Sequence, residues 1–230
     1  MLQRIVAEKW LHANAVFGLF PANASASILA SVAADAPGVT VTPQRSLDMV
    51  KHYARVQFDG VEVGSDAVVG NAEDTPAIVE RQRQVALILQ CAELVGILDT
   101  VLGFTTQWLA DRHSFGRPLS SYQALKHRFA NDKMWFEAAR ATTAAAVAAV
   151  ADRSPDAPKL VSVAKAYVAE RTPVILQDCV QLHGGIGVTW EHDLHLFLRR
   201  TALYRAMFGA PEDHYRIVYA LSRKQEDVHA

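Results

Sequence analysis

Residues 181–191 of the chain read QLHGGIGVTWE, a glycine-rich stretch between two long helical patterns. Gly184, Gly185 and Gly187 carry no Cβ and tolerate positive φ, so the backbone here can approach a flat or anionic ligand closely. A helix C-cap followed by a turn needs the same residue type, and the cluster by itself favours that simpler interpretation. The choice between the two depends on what accompanies the glycines.

A second motif lies upstream, where residues 112–119 read RHSFGRPL and Gln123 follows. Arg112 supplies a planar fork of N–H donors, Ser114 supplies a hydroxyl, and Phe115 with Gly116 supplies an accessible backbone turn. This combination suits a pyrophosphate. A solvated arginine at a helix end is the alternative that these residues alone leave open.

Taken together, the two segments resemble the acyl-CoA dehydrogenase family. The matching blocks are R-x-S-F-G-R-P-L-x-x-x-Q, Q-x-H-G-G-x-G-x-T-W-E-H-D and the LFLRR of residues 196–200. The resemblance covers residues 26–222, which correspond to the end of the family's middle β-domain and to its C-terminal helical domain. We expect the family's N-terminal helical domain to be absent.

The resemblance implies an FAD site. In the family the arginine segment reaches across a subunit interface to the flavin pyrophosphate, and the segment ending in the glycines, from the neighbouring chain, contacts the adenosine side. The cofactor-binding candidates are therefore Arg112, Ser114, Phe115, Gln123, Gln181, Gly184 and Gly185. Such a site is expected only in an oligomer.

The family's reaction requires a carboxylate that removes a proton from the carbon α to a thioester while hydride passes to the flavin. The usual family glutamate falls on Phe208, and the alternative family position falls on Ala86. Neither side chain can serve as a base, so the catalytic residue is unknown. Glu93 and Glu80 could each contribute one, although Glu93 also fits a hydrogen-bonding role within the bundle.

The loss of both base positions leaves two functions open. The first is an FAD-dependent acyl-CoA dehydrogenase-like subunit, acting on acyl-CoA thioesters in lipid metabolism and lacking its own base. The second is a non-catalytic helical partner that completes a flavin site or an oligomer interface. The Trp190–Asp193 block resembles bacterial acyl-CoA dehydrogenases that often work as mixed pairs. We therefore expect a homo-oligomer, or a hetero-oligomer with a related subunit.

Composition excludes some other classes of protein. The net charge of −1 over 230 residues argues against a nucleic-acid partner, which needs a basic face. Cys91 and Cys179 lie in apolar helical patterns, which predicts buried free thiols in a reducing compartment. We found neither a leader pattern nor an apolar run close to the ~18 residues of a membrane span. The chain is therefore expected to be cytoplasmic, with no membrane partner.

The fold is predicted to be mainly α, an up-down helical bundle of four to five helices after a truncated antiparallel β segment. The helices are expected at residues 75–113, 121–151, 159–183 and 192–208, with a fifth from about Pro211. Pro173 should bend or interrupt the third, because proline lacks an N–H and clashes with the preceding turn. The predicted domains are residues 1–24, 25–73 and 74–230.

The β segment is predicted from short alternating or β-branched runs at residues 28–32, 39–42, 53–58 and 61–63, with Asp59–Gly60 as a hairpin turn. Its sheet edge should be unpaired, paired with a partner, or covered by the N-terminus. Residues 1–24 resemble a fragment of the activation domain of cobalamin-dependent methionine synthase, too short to carry that domain's function. We interpret them as an unrelated or fused segment.

Two other kinds of site are weaker alternatives. His192 and His195 lie three residues apart beside acidic residues, a spacing that a metal site can use. Ser114 follows His113, which invites comparison with a hydrolase. Sequence neighbours seldom form a nucleophile and base pair, however, and no orienting third residue is evident. We therefore predict no metal.

Overall fold

The computed structural model of the protein describes residues 15–19 and 28–228. These residues form five helices, α1 (Thr75–Asp111), α2 (Gln123–Ala151), α3 (Ala157–His183), α4 (Leu194–Ala206) and α5 (Pro211–Val228). The strands are β1 (Ala15–Leu19), β2 (Ile28–Val32), β3 (Val39–Gln44), β4 (Tyr53–Phe58), β5 (Val68–Val69), β6 (His113–Ser114) and β7 (Arg117–Pro118). The predicted class, mainly α with a short antiparallel β segment before the bundle, is confirmed.

The chain divides into two compact units, one ending at Arg83 and the other beginning at Gln84. In the first unit, β1, β2 and β5 form one antiparallel sheet, while β3 and β4 form a separate two-stranded sheet. Strand β1 pairs with β2 along its whole length, from Ala15 opposite Val32 to Leu19 opposite Ile28. Of the three arrangements expected at the sheet edge, the structure shows β2 covered by the N-terminal segment. The rest of the stretch that resembles methionine synthase lies outside the described residues.

The predicted strand at residues 61–63 and the hairpin turn at Asp59–Gly60 are wrong. Gly60 does turn the chain, with φ of 60°, but the residues that follow pair with no strand in the described part of the chain. Strand β4 instead pairs with β3, in a hairpin whose loop is organised by Asp48. The Asp48 carboxylate accepts hydrogen bonds from the backbone N–H of Val50 at 2.9 Å and of Lys51 at 3.2 Å. A longer loop stabilised by a side chain replaces the short turn that sequence suggested.

The second unit is built around buried apolar side chains from α1 to α4. Helix α3 lies at its centre and contacts α2, α4 and α5. Small residues allow the close approach of α2, because Ala139, Ala146 and Ala149 are all buried. The predicted burial of the Cys91 and Cys179 thiols is confirmed. The largest fully buried apolar side chains of this core are Leu87, Leu94, Leu98, Val101, Leu102, Val161, Ile175, Leu176 and Leu194.

Helix α1 corrects the expectation about apolar runs. It contains a window long and apolar enough, by length and composition, to cross a membrane, and 44% of that window is buried inside the structure. Its Leu87, Leu94 and Leu98 side chains are buried in the bundle core. The core helix of a bundle can have the same length and composition, because an apolar helix can be buried either in a protein core or in a membrane.

Pro173 does not interrupt α3, which runs unbroken from Ala157 to His183. Proline removes one backbone hydrogen bond from a helix interior. Thr172 and Ile175 are fully buried on either side of it. Packing on both sides of the proline therefore offsets the lost bond.

A buried lysine joins three helices in a way that sequence did not suggest. Lys165 of α3 is fully buried, and its Nζ donates to Gln90 Oε1 of α1 at 3.3 Å and to the backbone oxygen of Tyr204 in α4. That oxygen belongs to the last turn of α4, where carbonyls lack helical partners. Burial lowers the pKa of Lys165 to about 8, while the nearby Cys91 opposes the shift. Lys165 therefore fixes the C-terminal end of α4 from inside the bundle.

A buried carboxyl group lies between α2 and α3. Asp132 is fully buried, and neither of its oxygens has a hydrogen-bond partner in the described part of the chain. Burial raises its pKa to about 7, with the charge of Asp178 acting in the same direction and Arg128 opposing it. Arg128 forms an ion pair with Asp178. Asp132 therefore holds a proton in the folded protein at pH values where an exposed aspartate has lost it.

Replacing Asp132 with asparagine should make the protein less sensitive to pH. The folded protein binds this proton more tightly than the unfolded chain does. The stability that the protonated Asp132 carboxyl contributes is therefore complete below the unfolded pKa of ~4 and is lost as pH rises through about 7. We expect Asp132→Asn to gain roughly 1 to 3 kcal/mol over the unsubstituted protein between pH 4.5 and pH 8.

Urea unfolding followed by helical circular dichroism at several pH values measures this difference. The exposed Asp99→Asn on α1 serves as the matched control and should show no such trend. A constant difference between Asp132→Asn and the unsubstituted protein across this range would contradict the assignment.

Candidate functional site

The arginine motif forms a tight β-hairpin immediately after α1. Strands β6 and β7 pair through His113 with Pro118 and Ser114 with Arg117. The two residues between them, Phe115 and Gly116, have φ of 51° and 79°. Two-residue hairpin loops favour positive φ at both positions because this twist matches that of the strands. Phenylalanine rarely adopts this conformation, and here its side chain is 96% exposed at the hairpin tip.

A tyrosine of the following segment fixes the hairpin. The Tyr122 hydroxyl donates to the Ser114 backbone oxygen at 2.6 Å. The Arg117 guanidinium lies 3.9 Å from the centre of the same ring, within the range of a cation–π contact. The Leu119 N–H bonds to the Arg112 oxygen at 2.8 Å and extends the ladder by one bond. Ser114 and Arg112 are therefore held on a defined backbone.

The glycine motif forms a tight 3-10 turn, Gly184–Val188, directly after α3. Gly184 has φ of 66°, which few other residues adopt without strain. At Gly187 a Cβ would lie 2.6 Å from the Val180 oxygen and 2.9 Å from the His183 Cβ, so only glycine fits there. A Cβ at Gly184 or Gly185 would meet open space. The first two glycines therefore keep an open surface, while the third allows the turn to pack against α3.

The two motifs line one groove of about 320 Å³. Arg112 and Ser114 contribute from the hairpin side, and Gln181, Gly184 and Gly185 contribute from the end of α3. A single chain thus brings residues of both segments together, and the expectation that a bound FAD is contacted across a subunit interface stays a prediction. The remaining lining residues are Trp108, Leu119, Leu125, Leu182 and His183.

Two of the seven predicted cofactor-binding residues do not line the groove. Phe115 projects from the hairpin tip, and Gln123 is an exposed residue at the start of α2, two positions before the lining residue Leu125. Their cofactor contacts stay predictions, as do those of the five residues that the groove brings together.

An aromatic wall of the groove was missed from sequence. The Trp108 and His183 rings stack with centroids 5.3 Å apart and planes 16° apart. His192 meets the same histidine edge-on at 4.7 Å, and the Arg112 guanidinium lies 5.9 Å from the Trp108 ring centre. Trp108 lies in the last turn of α1, and Arg112 follows the end of that helix, with its N–H bonded to the Trp108 oxygen at 2.9 Å. That spacing of four residues was the signal that could have linked them.

The two histidines considered as metal ligands have separate environments. His192 accepts a hydrogen bond at Nδ1 from the Leu194 N–H at 3.2 Å and contacts His183. His195 stacks on Trp190 at 4.6 Å.

His113, the histidine of the hydrolase comparison, contacts the Asp111 backbone oxygen through its Nδ1 at 3.1 Å. The imidazole of His113 is therefore held at the C-terminal end of α1.

Comparison with known proteins places this arrangement in a family. The family description "Acyl-CoA dehydrogenase, C-terminal domain" matches residues 80–221, more than half of the chain. The chain belongs to the acyl-CoA dehydrogenase family. The predicted resemblance is thereby confirmed, and the groove lies within the matched region.

Among curated relatives, acyl-CoA dehydrogenase IpdE2 of Mycobacterium tuberculosis is 36% identical over 171 residues, 74% of this chain and 48% of that protein. Among solved structures, butyryl-CoA dehydrogenase from Megasphaera elsdenii superposes with a TM-score of 0.85 at 18% identity, over 91% of this chain and 56% of that one. The Tcur3481-Tcur3483 steroid ACAD has a TM-score of 0.75 at 24% identity, over 94% and 56% of the two chains. The chain thus spans about half the length of the relatives it matches.

In this acyl-CoA dehydrogenase domain the two acids considered as bases are both engaged in ion pairs. Glu93 of α1 accepts hydrogen bonds from Arg200 and, at 2.7 Å, from the Tyr204 hydroxyl. Glu80 accepts two hydrogen bonds from Arg83, both at 2.8 Å. The structure therefore shows Glu93 in the simpler of its two expected roles, as a hydrogen-bond acceptor within the bundle.

The backbone at Phe208 has an unusual conformation. Phe208 has φ of 61° and Gly209 has φ of 102°, directly after the end of α4. The His214 Nε2 donates to the Phe208 backbone oxygen at 3.0 Å, which holds the turn. The Phe208 side chain is about half exposed. A left-handed non-glycine residue costs roughly 1 to 3 kcal/mol, so the surrounding contacts must enforce this conformation.

Replacing Glu93 with glutamine should destabilise the bundle. Arg200 is only 8% exposed in its side chain, and loss of its counter-charge leaves a buried guanidinium with a weaker partner. Glu93 is one-third exposed, so we expect a loss of roughly 1 to 3 kcal/mol in the free energy of unfolding.

Thermal or urea unfolding of Glu93→Gln measures this loss. Glu212→Gln is the matched control, because it removes the exposed pair with Arg205 and should cost less than ~1 kcal/mol. Equal stability of Glu93→Gln and the unsubstituted chain would show that the pair is not structural.

Proposed function

We propose that this chain is the C-terminal part of an FAD-dependent acyl-CoA dehydrogenase-like subunit whose groove binds the nucleotide portion of FAD. The observation that carries the proposal is the meeting of Arg112 and Ser114 with Gln181, Gly184 and Gly185 in one groove. Members of the family generally bind FAD. Activity on acyl-CoA thioesters, lipid metabolism and a cytoplasmic location are parts of the same proposal.

The residues present in the groove fit a nucleotide. The Arg112 guanidinium can form paired hydrogen bonds with phosphate oxygens, and Ser114 and Gln181 add neutral donors. The open surface at Gly184 and Gly185 leaves the backbone accessible to a ligand. The Trp108 Nε1 is buried without a hydrogen-bond partner in the described residues, so the groove wall also holds a donor that is not satisfied by the protein.

When bound, FAD would supply the acceptor for hydride removed from an acyl chain. The groove residues would hold its nucleotide end. Arg112 would offset the charge of the phosphates, and the aromatic wall would exclude water from one side. This division leaves proton removal from the substrate to another group, since Glu93 is committed to Arg200 and Tyr204.

Helix α1 supports the proposal of an oligomer. Its exposed residues Val85, Leu89, Ala92 and Gly96 recur at spacings of four, three and four, which gives one continuous stripe. Leu89 is 63% exposed, and a Cβ at Gly96 would meet nothing. An apolar stripe with small residues at this spacing suits close packing of another helix. A copy of this chain and a related subunit are both partners of that kind.

The alternative, a helical subunit without its own chemistry, is favoured by Phe208. An aromatic side chain at the usual position of the base cannot accept a proton, and the strained turn around it is held by His214. In that case the groove would serve an active site whose carboxylate belongs to a partner. Both functions use the nucleotide groove, and they differ in which subunit supplies the catalytic base.

Nucleotide binding by the groove can be measured directly with ADP, the part of FAD that the groove would hold. We expect Arg112→Gln to weaken ADP binding about tenfold to a hundredfold, because a charged hydrogen bond to phosphate is lost. Isothermal titration calorimetry on the 230-residue chain provides the measurement. Arg140→Gln, which alters an exposed arginine paired with Glu137 on α2, is the matched control.

Two results would oppose the assignment of the groove. One is undetectable ADP binding by the folded, unsubstituted chain. The other is an equal loss of affinity in Arg112→Gln and Arg140→Gln, which would show that positive charge at any surface site is sufficient.

The chain alone should not oxidise acyl-CoA thioesters. Phe208 and Ala86 occupy the base positions, and neither side chain can accept a proton. We expect no bleaching of the flavin absorbance near ~450 nm when the chain, mixed with FAD, receives butyryl-CoA or a longer thioester. A base-containing butyryl-CoA dehydrogenase under the same conditions is the positive control. Bleaching by the chain alone would contradict the prediction and require a relocated base.

A further inference from the structure

The His183 ring forms part of the groove wall and is held in a single orientation. It belongs to the last residue of α3, is 4% exposed and lines the groove beside Gly184. Trp108 stacks on one face, and His192 and Phe104 meet it at 68° and 71° with centroids 4.7 Å and 5.6 Å away. Three aromatic neighbours leave the imidazole little freedom to rotate.

Hydrogen bonding determines which ring nitrogen carries the proton. The His183 Nδ1 lies 2.7 Å from the backbone oxygen of Cys179. A carbonyl oxygen can only accept, so Nδ1 must carry the hydrogen. In a neutral imidazole the other nitrogen, Nε2, then has a free lone pair and acts as an acceptor.

The surroundings keep this imidazole neutral. Burial lowers the pKa of His183, and the neighbouring His192 acts in the same direction, while the hydrogen bond to Cys179 opposes both. The His183 Nε2 makes no hydrogen bond to the described part of the chain. The wall therefore offers an acceptor at His183 Nε2, and a ligand hydroxyl group, which can donate, matches it.

We propose that His183 is a specificity-determining residue of the groove, and that its Nε2 accepts a hydrogen bond from a sugar hydroxyl of the bound nucleotide. The pyrophosphate of FAD cannot fill this role at neutral pH, because its oxygens carry no hydrogen to donate. This inference rests on the proposed nucleotide groove and adds to it a preference for a ribose over a deoxyribose. It also assigns the histidine a role distinct from the phosphate contact of Arg112.

The test compares ADP with 2′-deoxy-ADP and 3′-deoxy-ADP on the 230-residue chain by isothermal titration calorimetry. We expect ADP to bind about three- to tenfold more tightly than at least one of the deoxy nucleotides, the usual effect of one hydrogen bond. In His183→Phe, which keeps an aromatic ring against Trp108, that preference should disappear. His195→Phe, which alters a histidine stacked on Trp190, should retain it.

The outcomes separate this inference from the groove assignment. No ADP binding by the unsubstituted chain overturns both. Binding of ADP and both deoxy nucleotides with equal affinity overturns the role of His183 alone, and this result does not depend on whether any variant folds. A ribose preference that survives in a folded His183→Phe, with unchanged helical circular dichroism, also overturns it.

Discussion

The close packing of the turn after α3 against the end of that helix is the constraint on which the groove depends. Gly187 lies so near the Val180 oxygen and the His183 Cβ that any side chain would force the turn away from the helix. Were the turn displaced, Gly184 and Gly185 would leave the wall that they share with Arg112. The glycine at position 187 is thus structural, while the two before it keep an open surface for a ligand.

The groove's other wall is set by α1 and by the hairpin that follows it. Trp108 lies in the last turn of this helix, Arg112 follows the helix end directly, and the hairpin begins at the next residue. The buried side chains Leu98, Val101 and Leu102 anchor the helix in the core just before this point. The packed core therefore restricts the motion of Trp108 and Arg112 at the groove, which lowers the entropic cost of binding a ligand there.

Sequence was sufficient for the elements whose signals are local and strong. The long apolar helices, the glycine turn and the arginine motif were all located because their patterns extend over several residues, and their resemblance to a known family gave them a joint meaning. The prediction of a strand at residues 61–63 was wrong because a short β-branched run has only a local preference for extended backbone, while strand pairing depends on a distant partner. Lys165, Asp132 and the stack of Trp108 on His183 could not be foreseen, since each is produced by contacts between helices far apart in sequence.

The proposed nucleotide site lies between the arginine hairpin and the glycine turn of a single chain. Hydrogen–deuterium exchange followed by mass spectrometry, with and without saturating ADP, is the direct test of this site. We expect slower exchange confined to the backbone of residues 108–119 and 181–188, the two segments that line the groove. Unchanged exchange in both segments, or protection restricted to the β segment or to α5, would contradict it.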